Sequence, residues 1–390
     1  MTSLDKSNVD FARSSDAWVE LRRMMPCAQH WAYFDHAAVA PISAPAQAAL
    51  VEWAKDLAEN GCADWPQWAE ELEQVRRRGA ELISADSDEL ALVHNTTEGI
   101  NLVAEGFPWR PGDNVVVPAD EFPSNLYPWM NLSGRGVEVR RVPVEAGRVE
   151  LDRLAAACDA RTRIVAVSWV GYAGGWRNDV DAVVELAHSR GALVFLDAIQ
   201  GLGVFPLDVR KTPVDFLSAD GHKWLLGPEG AGLFYLRREH LDRLRPIGVG
   251  WNSVAHAYDF NRVELALKPS AARYEGGTYN MPGLAAFGAS LELLAGYSTE
   301  QIAARILAVT DELCERLGRL GATIASCREP PHASGIVSFE LPGRDPAAVR
   351  KKCRERQVLL SCRAGRLRAS PHAYTNAEDL DRLIEALANC

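Results

Sequence analysis

FLSADGHKWLLGPEGAGLFYL, residues 216–236, carries the pattern from which the fold is read. Two short apolar runs, Phe216–Ala219 and Leu233–Leu236, bracket a loop rich in glycine. Apolar residues in unbroken succession, without alternation, mark a strand covered on both faces. Lys223 lies between the runs, after Phe216-Leu217 and before Trp224-Leu225-Leu226. Most lysines ride exposed helix faces, where water solvates the charge. A lysine held among apolar residues sheds its proton more readily, and a neutral amine is a nucleophile. The competing reading is a lysine whose stem packs at a strand end while its amine reaches water.

Similar runs occur at Leu90–His94, Val115–Pro118, Val139–Val144, Ile164–Val170 and Leu193–Ala198. Amphipathic stretches such as Asp179–Ser189 separate several of them. This alternation predicts an α/β fold built on a mainly parallel seven-stranded sheet with helices on both faces. Toward the end of the chain, helical stretches at 299–320, 345–356 and 376–388 bracket short strands at Ile336–Glu340 and Leu367–Ser370. That is the pattern of a smaller α+β domain. Residues 1–30 read as a helical lead-in and 43–83 as helix-rich. The expected division is an N-terminal segment, 1–35, packing with the small domain, a large domain, 36–262, and a small C-terminal domain, 263–390.

The chain has 390 residues, 47% hydrophobic and 24% charged, with a net charge of −10. That is ordinary globular composition with length for a large core. No basic block stands out, so nucleic acid and anionic membranes are not expected partners. The polar N-terminus does not read as a signal peptide, and no apolar run approaches membrane-spanning length. Eight scattered cysteines, without CxxC pairs or His/Cys metal spacing, read as reduced thiols of a cytoplasmic protein with no metal site.

Open α/β sheets bind ligands at the carboxyl ends of their strands. After the first run come Thr96 and Thr97, opening a helix whose N-terminus suits a phosphate, though a plain helix cap reads the same way. After the second comes Phe122, placed to stack on a flat ring or to plug the core edge. Asp197 ends the apolar strand Leu193–Leu196, and burying that carboxylate costs several kcal/mol unless a cation or donor compensates it. A protonated ring nitrogen would compensate it; a helix-capping role is the alternative. Gln200 follows three residues later, and His222 precedes Lys223. Together these describe one ligand: a phosphate at Thr96, Thr97 and His222, a ring stacked by Phe122, a ring nitrogen paired with Asp197, and an aldehyde captured by Lys223. That ligand is pyridoxal 5′-phosphate (PLP), with Lys223 as Schiff-base lysine and as base at the amino-acid Cα.

The motifs YFDHAAVAP (33–41), NTTEGIN, DEFPSNLYPW, FLDAIQ, SADGHKWLLGPEG, RYEGGTYN (273–280) and LRASPHAYTN (367–376) occur in order along the chain. With them the chain resembles the class V aminotransferase family of fold type I PLP enzymes. Within it, the chain is similar to the isopenicillin N epimerase-like and cysteine desulfurase/selenocysteine lyase-like members. The resemblance implies a fold type I PLP-dependent transferase acting as a homodimer, with Thr278 reaching the neighbouring subunit's phosphate. It implies Arg368 on the substrate α-carboxylate and the backbone at Ala37 and Ala38 on the substrate side. Three positions depart from the family pattern. Asp220 stands where a phosphate-binding serine is common, so it is expected to turn away while Ser218 or His222 compensates. Tyr172 stands where an asparagine near the cofactor's phenolic oxygen is common. Arg363-Ala364-Gly365 runs straight into Arg366-Leu367-Arg368, leaving no room for the loop that carries the desulfurase cysteine; Cys362 is expected to be a small buried residue, with a persulfide-carrying nucleophile the competing role.

The leading functional expectation is a PLP enzyme acting at Cα of an amino acid, either an aminotransferase or an epimerase-like enzyme. The alternative is cysteine desulfurase/C–S lyase-like β-elimination without the cysteine loop. Trp169, Tyr172, Trp176 and Trp251 are candidates for a bulky-substrate pocket, with core packing the competing role. A reading of another class is a non-catalytic binding or regulatory protein on the same fold. GPEGAG (227–232) lacks the spacing and position of a dinucleotide-binding loop. Purified protein that stays colourless after addition of PLP would support the non-catalytic reading; a yellow protein is expected.

Overall fold

The computed structural model of the chain describes residues 15–145 and 147–390. Of the expected helical lead-in, residues 1–14 lie outside the described residues; from Ser15 the chain forms a helix, Ser15–Arg23, and a short turn of 3-10 helix, Pro26–Gln29.

The central sheet is built from β1 (Leu90–Val93), β2 (Asn114–Pro118), β3 (Glu138–Val142), β4 (Thr162–Ser168), β5 (Leu193–Asp197), β6 (Phe216–Asp220) and β7 (Gly232–Leu236). Their order across the sheet is β1-β7-β6-β5-β4-β2-β3. Six strands run one way, and β7 runs against both its neighbours. The mainly parallel α/β architecture read from the apolar runs is therefore the architecture of the molecule. Successive residues in one strand enter opposite cores: Leu90 and Leu92 pack on one face, Ala91 and Val93 on the other. Two-sided burial is why these strands lack a polar–apolar alternation. The edge strand β3 differs: it reads EVRRV, and its charges are only partly covered. Charged residues on an edge discourage pairing with another chain.

Helices cover both faces. On one side lie α1 (Ala44–Asn60), α2 (Trp65–Leu82), α4 (Val180–Ser189) and α5 (Met281–Ala295), with α5 packed on α1 and α2. On the other lies α3 (Thr96–Gly106), directly over β6. A Cβ at Gly99 would come within 2.2 Å of Ser218 Oγ, so glycine is what lets α3 approach the strand so closely.

A separate core gathers Phe34, Leu313, Val337, Phe339, Leu367 and Leu383. It sits between long helices and a four-stranded antiparallel sheet of Thr323–Ile324, Val337–Glu340, Ser361–Arg363 and Arg366–Ala369. The segment Ala32–Tyr33 pairs in parallel with Val358–Leu359, and Asp35 bridges to Ser370, so the N-terminal segment is sewn onto this C-terminal unit. Helix α5, C-terminal to residue 263, packs with the large sheet's helices instead. No helix among the described residues is long and apolar enough to cross a membrane.

At the edge of the sheet away from the strands' carboxyl ends, Asp215 ties three elements together. It accepts hydrogen bonds from Val194 N (2.8 Å), His188 Nε2 (2.8 Å) and His240 Nε2 (2.7 Å). Burial opposes its ionisation, but the bonds from His240, His188 and Val194 outweigh it and hold the carboxyl below its ordinary range. A depressed carboxyl contributes stability that is present above its unfolded-state pKa and lost as pH falls through the folded value. Asp215→Asn is expected to lower the unfolding free energy by about 2–4 kcal/mol at neutral pH in urea titrations, with the gap to the native chain closing in acid. An equal gap at pH 7 and in acid would show that the charge contributes nothing.

Candidate active site

A cavity of about 270 Å³ opens at the carboxyl ends of β1, β2, β4, β5 and β6. Sheet geometry gathers residues there that are far apart in sequence: most follow a parallel strand, while Ala38 comes from the N-terminal segment and Arg368 from the small antiparallel sheet. Thr96, Thr97, Phe122, Tyr172, Asp197, Gln200, His222, Lys223, Arg368 and Ala38 all contribute to its wall.

Lys223 follows β6, and its amine lies 5.8 Å from the Phe122 ring centroid. Desolvation lowers its pKa to about 8, against the pull of Asp197, which favours the ammonium form; Arg368 adds to the lowering. Asp197, at the end of β5, is 2% exposed. Burial raises its pKa to about 6, partly offset by the Ile199 N–H at 3.1 Å and by Lys223. The two groups therefore share one neighbourhood and stabilise each other's charge. Gln200 is spanned between its neighbours: Nε2 donates to Ala37 O at 2.9 Å, and Oε1 accepts from Trp224 Nε1 at 2.8 Å.

The phosphate end is built on α3. Asn95 caps the helix by accepting from Glu98 N, which leaves Thr96 and Thr97 at the first positions. Thr96 Oγ1 accepts from Asp220 N at 2.9 Å, and the Thr97 hydroxyl donates to Ser124 Oγ at 2.8 Å. Asp220 lies in the cavity wall with its carboxylate 3.0 Å from His222 Nδ1. Neither atom completes an aligned hydrogen bond, so the contact is close without being a good one.

Ring-sized space, a buried carboxylate, an amine of lowered proton affinity, a helix N-terminus and an unpartnered buried imidazole nitrogen together fit PLP. The group would be held at its phosphate by the α3 N-terminus and His222, at its ring by Phe122 and Asp197, and at its aldehyde by Lys223.

Arg368 is 1% exposed. It donates to Ser361 Oγ (3.0 Å), Tyr172 O (2.6 Å) and Asp35 Oδ1 (3.3 Å). Burial lowers its pKa to about 10 in spite of Asp35. The Tyr172 ring meets Phe122 edge-on, with centroids 5.2 Å apart.

Other expected residues fall elsewhere. Ser218 is buried beneath α3, donating to Leu233 O at 3.2 Å, and does not compensate for Asp220. Thr278 is exposed beside a separate small cavity. Trp169 and Trp176 are core residues: a Cβ on Gly201 would strike the Trp169 ring at 2.4 Å, and Trp176 stacks on His332 at 3.8 Å. Trp251 lies outside the cavity, 38% exposed. Of the proposed aromatic lining, only Tyr172 faces the cavity. Cys362 Sγ donates to Pro346 O at 3.2 Å, is absent from the cavity wall, and has a thiol pKa pushed up by burial.

The sequence reading singled out neither Arg363, a cavity residue, nor Glu121, which lies behind the wall. Arg363 lines the cavity, donates to Cys362 O at 2.8 Å and forms no ion pair among the described residues. Glu121 is buried just behind Phe122. A signal existed for both: an arginine five residues before Arg368, and an acid at a strand end.

The protein-family model described as Aminotransferase class-V matches residues 32–383. A probable cysteine desulfurase of Methanothermobacter thermautotrophicus is 32% identical, over 97% of this chain and 98% of its own length. A cysteine desulfurase of Escherichia coli is 31% identical over 82% of each chain. Among solved structures, the Escherichia coli cysteine desulfurase CsdA superposes with a TM-score of 0.85 at 27% identity, covering 95% of this chain and 98% of that one. The cystine C–S lyase C-DES, solved with its product cysteine persulfide, superposes with a TM-score of 0.88 over 94% of this chain and 99% of that one; at 24% identity it shares the fold.

Competitive acylation of Lys223 across pH is expected to give a midpoint near 8, well below an ordinary lysine. Asp197→Asn is expected to move that midpoint lower, since it removes a charge that favours the ammonium. An ordinary lysine midpoint in both proteins would place the amine in water.

Proposed function

Because the chain belongs to the class V aminotransferase family, we propose that it is a PLP-dependent C–S lyase. In this reading it takes a sulfur-containing α-amino acid, removes the Cα proton and releases the sulfur substituent by β-elimination. The carrying observation is the make-up of the cleft: a lysine amine, two arginines and no cysteine among its described lining residues. Persulfide transfer needs a thiolate facing the substrate sulfur. Cys362 faces Pro346 O instead, with its thiol pKa raised. Elimination needs only a base at Cα. The desulfurase names of the relatives support chemistry at a C–S bond over transamination or epimerisation.

When bound, PLP withdraws electrons from Cα and makes its proton acidic. Lys223, with a pKa of about 8, is suited to accept that proton near neutral pH and to return it elsewhere. Asp197 would hold negative charge for the ring nitrogen, and Phe122 would offer its ring face to the bound group. Arg368 orients the α-carboxylate; its other bonds, to Asp35, Ser361 and Tyr172 O, keep the guanidinium in place. Arg363, without an ion-pair partner among the described residues, suits a second anionic group on the substrate.

A homodimer belongs to the same reading. Thr278 is exposed, and the nearby loop exposes Trp251 (38%), Tyr258 (61%), Phe260 (74%), Val263 (98%) and Leu265 (74%). Large apolar side chains exposed together mark a surface that another chain covers.

The test is incubation of the holoprotein with L-cysteine and L-cystine. Pyruvate and ammonia are expected, while alanine would identify desulfuration and conversion of the cofactor to its amine form would identify transamination. Borohydride reduction is expected to fix PLP on the native chain but not on Lys223→Ala. Arg368→Ala is expected to reduce kcat/KM for α-carboxylate substrates by on the order of 2–4 kcal/mol, roughly thirty- to a thousandfold. Unchanged kinetics would assign carboxylate binding to another group.

A further inference from the structure

We propose that Glu121 is a positioning residue for Asp197: in its neutral, protonated form it clamps the end of β4 through Ser168 and leaves Asp197 as the single negative charge in that corner. The inference rests on reading Asp197 as the partner of the cofactor ring.

Glu121 is 8% exposed, and it lies in the turn after β2, directly before Phe122. Ser168 donates its backbone N–H to Glu121 Oε1 at 2.6 Å, and its hydroxyl contacts Oε2. Ser168 is the last residue of β4 and pairs across the sheet with Asp197, the last residue of β5. The next residue continues the link, Trp169 N donating to Asp197 O at 2.8 Å. One carboxyl group thus grips the strand end that carries Asp197. Glu121 itself is not part of the cavity wall, so it acts through its neighbours.

The surroundings favour the neutral form. Glu121 has no ion-pair partner among the described residues. From β5 it faces Asp197, a like charge; from β4 it faces Ser168, and from the following turn Asn125, both uncharged. The cation of this region, Lys223, acts on Asp197 instead. Burial raises the Glu121 pKa to about 8; Ser168 lowers it, Asp197 raises it further, and Asn125 lowers it. Asn125 Nδ2 completes no aligned hydrogen bond, so its support for an ionised Glu121 is weak. Two carboxylates in one buried corner share their titration, and the group without a cation keeps its proton. A neutral Glu121 lets Asp197 ionise without a second negative charge beside it.

The test uses the full chain, without and then with added PLP. Without cofactor, infrared titration of the native chain is expected to show a protonated-carboxyl stretch lost with a midpoint near 8 and missing from Glu121→Gln. With PLP, Glu121→Gln is expected to bind the cofactor as the native chain does at pH 7. Glu121→Ala is expected to weaken PLP binding by about tenfold, the scale of lost hydrogen bonds. If no carboxyl step separates the native chain from Glu121→Gln, or if Glu121→Gln weakens PLP binding as much as Glu121→Ala, the proposal falls. Should Glu121→Ala fail to fold, the native and Glu121→Gln pair decides alone. A chain that shows the carboxyl step yet takes up no PLP would overturn the reading of the cleft and leave the protonated clamp standing.

Discussion

Asp197 and Lys223 bring opposite charges to the wall of one cleft, Asp197 buried and Lys223 half-buried. Each alone would be costly there, and each is shifted toward its neutral form by burial. Their attraction partly reverses both shifts. The result is a carboxylate that stays largely ionised at neutral pH and an amine within reach of its neutral state. Much of the surrounding structure serves that balance. Parallel strands bring β5 and β6 side by side, so that Asp197 and the loop holding Lys223 emerge at the same edge. The tight crossing of α3 over β6 sets a positive helix end beside them.

The cleft closes because distant parts of the chain meet over it. Ala37 and Ala38 arrive from the N-terminal segment, which is bound to the C-terminal unit through Asp35 and Ser370. Arg363 and Arg368 arrive from the small antiparallel sheet, and Arg368 is tied to Tyr172 O in the turn that follows β4 of the large one. A guanidinium donating to three partners on different elements is held in orientation before any substrate arrives. That matters more for a planar, bidentate group than for a point charge.

Departures from the family pattern have local physical answers. An aspartate near a phosphate site would be repulsive if its charge faced the anion freely. Asp220 instead lies against His222, with its backbone N–H given to Thr96. The thiol of Cys362, beside Arg363, donates to Pro346 O and does not line the cleft.

Much was legible in the sequence, because burial on both sheet faces forces unbroken apolar runs and functional residues follow strand ends. The strand runs, the helical stretches and the cleft residues Thr96, Thr97, Phe122, Asp197, Gln200, His222 and Lys223 could be read from adjacency alone. Direction of side chains could not. Ser218 lies in β6, where successive residues face opposite sides, and its side chain went under α3. Trp169 and Trp176 are aromatic and near the site, yet packing against Gly201 and His332 took them inward. The sequence reading did not single out Glu121; the fold sets it against Ser168 and Asp197. The sequence by itself determined which chemical groups stand at the ends of the strands. Only the tertiary structure decided which of them face the cavity and how their charges are paired, because both depend on partners supplied by distant segments.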